Sequence, residues 1–149
     1  MYARLQFGLV IVLLLFSIDA NARDTRHRFP ISDVVNNPEY SQRLRGVSFY
    51  FGDQPHPKIE KSYGEWKTNK KTNAFKKTDE FACQWAMLSA LLSLHKRAID
   101  LGGNAVIGIK SNYKNQVFES EEHYECGAGA LMAGVAFKGV VVELPQSNQ

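Results

Sequence analysis

Cysteine occurs only twice in the 149 residues, as Cys83 and Cys126, and histidine only four times. No CxxC, HxxxH or HxH spacing links them, and no acidic run has the spacing of a calcium loop, so the usual zinc and calcium motifs are excluded. The GxxxxGK[ST] spacing of a phosphate loop is also missing. Long apolar runs are absent beyond the N-terminus. The longest later one, 126–137, is mostly Gly and Ala, too short to span a bilayer and better suited to a buried strand.

Residues 1–22 read as a signal peptide. Arg4 supplies the positive start, Phe7 to Ile18 the apolar stretch, and Ala20-Asn21-Ala22 a small-x-small site with cleavage expected after Ala22. The expected product is one domain, residues 23–149, in the periplasm or outside the cell. No transmembrane segment should remain after cleavage. In an exported chain two cysteines suggest one bond, Cys83–Cys126. A Cα separation above about 7 Å would exclude it.

Neither sign of charge dominates: 18 basic residues face 15 acidic ones, a formal net charge of +3. Locally the balance shifts. Residues 53–77 show little periodicity and read as a long basic loop. From 58 to 77 it carries Lys58, Lys61, Lys67, Lys70, Lys71, Lys76 and Lys77 against Glu60 and Glu65, with Tyr63, Trp66 and Phe75 between them.

The strongest element is the helix expected over 78–102, with Thr78 as cap and Asp79 and Glu80 at the positive end of its dipole. On a 100° wheel Ser89, Ser93, Lys96, Arg97 and Asp100 share a polar sector. The apolar arc exceeds half the circumference, more than one sheet face covers, so the N-terminal segment or another subunit should cover the rest. IDLGGNAVIGI (99–109) then places glycines at a helix C-terminus, where a left-handed cap is needed and the dipole repels anions. A nucleotide loop has the opposite polarity. Upstream, 23–29 suits an edge strand, 31–44 short helical pieces limited by Pro38, and GVSFYFG (46–52) a half-buried strand. After a turn near 114–116, a long Gly/Ala-rich strand carries Cys126, and VVVEL (140–144) extends it or forms a last strand. The expected fold class is α+β, a small antiparallel or mixed sheet packed against one long helix.

The helix–LGGNAVIGI–turn–strand unit resembles the YbjQ-like family of small bacterial proteins and is similar to RcsF-like periplasmic domains. The likeness covers 46–51 loosely and 78–137 better. RcsF-like proteins carry a lipid anchor and four cysteines; here there is no lipid-attachment cysteine and only two cysteines in all. The segments FYFGDQPHP (49–57), TNKKTNAF (68–75), ACQWA (82–86) and YECGAGA (124–130) look closer still to exported bacterial proteins often labelled "excinuclease ATPase subunit". That label is a misnomer for a chain without a Walker motif or a CxxC pair. The resemblance implies an α+β fold, a capacity for ring-like homo-oligomers and, in some relatives, metal binding.

Catalysis has no motif. A Cys83/His95 dyad would require two residues about 120° apart on one helix to meet, and an oxidised Cys83 is no nucleophile. The expected function is a non-enzymatic binding module of the bacterial cell envelope, without a cofactor. Its basic loop would meet an acidic envelope component or protein; export argues against nucleic acid as the native partner. The alternative is a metal-binding, oligomeric YbjQ-like protein. Among His27, His56, His95 and His123, the residues to test are His56, held between two prolines, and His123 with Glu122.

Overall fold

The computed structural model describes residues 22–146. The leader expected over 1–22 lies outside these residues apart from Ala22. Ten elements follow in order, all within 25–143: β1 (Thr25–Pro30), α1 (Ser32–Val35), α2 (Pro38–Arg43), β2 (Ser48–Phe51), β3 (Lys61–Asn73), α3 (Asp79–Leu101), β4 (Ala105–Ser111), a 3₁₀ turn (Tyr113–Asn115), β5 (His123–Ala128) and β6 (Met132–Glu143). The fold is α+β. A curled six-stranded sheet packs against α3, with the two short helices beside it.

β6 is the axis of the sheet. One of its edges pairs with β3 along nearly its whole length, Lys61 opposite Glu143 and Asn73 opposite Met132. The other edge is shared: β5 takes Ala133 and Gly134, while β4 takes Phe137 to Val142. β1 lies antiparallel outside β5, and β2 runs parallel outside β4. The Gly/Ala-rich segment is therefore a hairpin rather than one long strand. Gly129 N–H donates to the Met132 carbonyl at 2.8 Å and closes it.

α3 begins and ends where its chemistry requires. Thr78 Oγ1 accepts from Phe81 N–H at 3.2 Å, and Gly102 caps the C-terminus in the left-handed region at φ 84°. Gly103 is needed for a different reason. A Cβ there would lie 2.8 Å from Val141 Cγ1, so the chain can turn against β6 only without a side chain. Asn104 then clamps the last strand, its side chain donating to the Leu144 carbonyl and accepting from Leu144 N–H, both at 2.8 Å.

The wide apolar arc of α3 is covered from three directions. Its centre, including Met87, Leu91 and Leu94, meets the sheet face that carries Val135, Phe137 and Val141. On one flank, residues 31–44 supply Ile31, Val34, Tyr40 and Leu44, with the Tyr40 ring tilted against Trp85 at 5.5 Å between centroids. On the other flank, β3 contributes Tyr63 and Trp66. The N-terminal segment thus does part of the covering expected of it. Phe81 and Ile99 remain exposed.

Cys83 and Cys126 are bonded, with their Cα atoms 5.9 Å apart and both side chains fully buried. The bridge fastens the second turn of α3 to the middle of β5.

The segment 53–77 is not the loop that its composition suggested. Only 53–60 and 74–78 connect; Lys61–Asn73 is a 13-residue strand. Its alternation is concealed because it is an edge strand whose outward positions meet water. Only Thr68 is buried along its length. A bulge between Ser62 and Glu65, with Gly64 at φ 86°, further breaks the period of two.

Candidate anion-binding site

Making 61–73 a strand redistributes its lysines. Phe137 faces the helix, so its partner Thr68 does too, and alternation places Trp66 and Lys70 on that face. Lys67 and Lys71 point to the opposite face. Lys58 remains in the connection before β3, Lys61 lies over the Tyr63 ring at 4.9 Å, and Lys76 and Lys77 sit in the turn before α3.

Between β3 and the C-terminal half of α3 lies an open groove of 510 Å³. β3 supplies Trp66 and Lys70, and the polar sector of α3 supplies Ser89, Ser93 and Arg97. The Arg97 guanidinium stacks over Trp66 at 4.3 Å from the ring centroid. Trp66 is itself fixed, its Nε1–H donating to the Tyr63 carbonyl at 3.2 Å. The groove's one carboxylate, Asp100, is already paired with Lys96 at 2.6 Å. Among the described residues, Lys67, Lys70 and Arg97 form no ion pair.

A second feature lies on the far face of the sheet. Lys67 pairs with Lys138 of β6, which pairs with Lys110 of β4, so three lysines stand in one rung across three strands. Like charges directly opposite are destabilising. Glu119 relieves one of them by accepting from Lys110 at 2.9 Å, which holds that ammonium above the ordinary lysine value. Lys67 and Lys138 have no such partner among the described residues.

The metal candidates are not brought together. His56 Nδ1 lies 2.8 Å from the Pro57 carbonyl oxygen, and its ring packs edge-on to Tyr50. His123 and Glu122 are instead organised by Ser120, whose Oγ accepts from both of their backbone N–H groups at 3.1 Å. Among the described residues, no three His, Cys, Asp or Glu side chains are grouped so as to hold an ion. His56, His123 and Glu122 are thus not gathered into a three-ligand group among the described residues. His27 lies 2.8 Å from Asp79, and His95 lies 2.8 Å from the Arg45 carbonyl. With Cys83 in a disulfide, no Cys83/His95 dyad exists.

Arg97, Ser89, Ser93, Lys110 and Lys138 were absent from the sequence-based site. The helical wheel did put Ser89, Ser93 and Arg97 in one sector. What it lacked was a partner for that sector, because nothing local indicates that residues 66–70 lie beside it.

Compared with protein-family models, curated proteins and solved structures, the chain matches none. No helix among the described residues is long and apolar enough to cross a membrane, and the buried disulfide is compatible with export.

Proposed function

We propose that the protein is an exported, non-enzymatic binding module of the bacterial cell envelope that holds an anionic polymer in the β3–α3 groove. The carrying observation is the convergence of Lys70 and Arg97, neither of them ion-paired, around Trp66. An anion entering there meets charges that need not first be released from internal partners. The stacked Trp66–Arg97 pair offers a flat surface for a sugar ring or an extended chain. Placement in the periplasm or outside the cell follows from the expected leader and the two-cysteine count, and the YbjQ-like likeness of 78–137 belongs to the same reading.

Titrating the protein with a sulfated or phosphorylated polysaccharide, monitored by calorimetry, tests this. Binding should weaken steeply as salt rises. The combined substitution Lys70→Gln with Arg97→Gln should abolish it without altering the circular dichroism. Equal affinity of this variant and the wild type overturns the proposal.

A second reading rests on the position of β3, whose outer edge is unpaired among the described strands. Lysines on an edge strand oppose edge-to-edge association. On that reading the same double variant aggregates with concentration, and the wild type shows no polyanion binding.

A further inference from the structure

A different part of the molecule, at the opposite end of α3 from the groove, has the character of a membrane contact. Seven large apolar side chains are exposed among the described residues, and three of them cluster: Phe75 and Leu131 on two adjoining loops and Met132 at the start of β6. Leu131 is 64% exposed, Phe75 55% and Met132 47%. The loops are held together by Ala74 N–H donating to the Leu131 carbonyl at 2.8 Å and by Asn73 pairing with Met132.

Cations surround this patch. Lys76 Nζ lies 5.4 Å from the Phe75 ring centroid, and Lys77 Nζ donates to the Asn73 carbonyl at 3.0 Å. Lys71 lines a hollow of 320 Å³ together with Leu131 and Met132. The nearby acids are largely engaged: Asp79 pairs with Arg23 at 2.7 Å and with His27 at 2.8 Å, and Asp24 pairs with Lys114.

The chain also enters the fold here. Ala22 and Arg23 line the same hollow, and the Arg23 carbonyl lies 2.7 Å from where a Cβ on Gly129 would be.

We propose that this end, Phe75, Leu131 and Met132 collared by Lys71, Lys76 and Lys77, docks on an anionic lipid surface. The three apolar side chains enter the interfacial region while the lysine stems lie along it with their ammonium groups at the phosphates. A second copy fits less well, because two lysine collars would face each other. The docking leaves the β3–α3 groove free, so the two sites act independently.

Flotation of chain 23–149, which contains every element of the fold, with vesicles tests the proposal. The chain should float with vesicles containing phosphatidylglycerol, less with pure phosphatidylcholine, and less again at high salt. Leu131→Asp with Met132→Asp should abolish flotation. Lys76→Gln and Lys77→Gln should each weaken it about fivefold. All four positions are exposed, and unchanged thermal melts would show the variants folded. The groove variant should float like the wild type, which separates this proposal from the one above. Absence of wild-type flotation, or flotation of the Leu131/Met132 variant equal to wild type, overturns it. So does self-association that the same variant abolishes while wild type ignores vesicles, or binding that requires residues 1–22 and ignores the loops.

Discussion

Lys67 and Lys138 stand directly opposite each other across the β3–β6 ladder, and neither has a carboxylate partner among the described residues. Replacing Lys138 by Glu turns a repulsive cross-strand pair into an attractive one. Stability should rise by about 0.2–1 kcal/mol in urea titrations. An unchanged or lowered midpoint would contradict it.

The disulfide closes a 43-residue separation. Cys83→Ala with Cys126→Ala should lower stability by roughly 4 kcal/mol through the freed unfolded chain, within the usual span of about 2–5 kcal/mol. Denaturant curves of the variant and of reduced wild type check this. Coincident midpoints with the oxidised protein would contradict it.

Tyr124 is fully buried between Phe29 and Phe137, and its hydroxyl has no hydrogen-bond partner among the described residues. Burial pushes its phenol well above the ordinary tyrosine range. Tyr124→Phe removes an oxygen that has lost its water and gained nothing, so it should raise stability by about 1 kcal/mol. The buried Thr68 hydroxyl is in the same position, and Thr68→Val should act likewise. Thermal melts of both variants decide the matter.

Asp79 has its carboxyl lowered to about 2, chiefly because Arg23 donates to it and secondarily because of His27. A carboxylate lowered in the folded state contributes stability above its unfolded pKa of about 3.9 and loses it as pH falls toward about 2. Asp79→Asn should therefore be less stable than wild type at neutral pH, by about 1 kcal/mol or less for a surface pair. The difference should shrink between about pH 4 and pH 2. Parallel acid titrations of the unfolding midpoint would show it, and a constant gap would refute it.

Much of this fold is written in short-range chemistry. Thr78, Asp79 and Glu80 start α3, Gly102 ends it, and the apolar run 105–109 can only be a core strand, because each signal acts within a few residues of its cause. Counting cysteines sufficed for the bridge because two thiols allow only one pairing. The strand 61–73 has no such local cause. Its residues are polar on both faces, and it becomes a strand because β6 offers a complete row of backbone partners. The split between β5 and β6 is likewise set by distant neighbours, since β1 and β4 draw the two strands apart after only two paired residues. Both proposed sites depend on these long-range events. Lys70 meets Arg97, and Phe75 comes beside Leu131, through pairings made across tens of residues of chain, which no periodicity within a segment can encode.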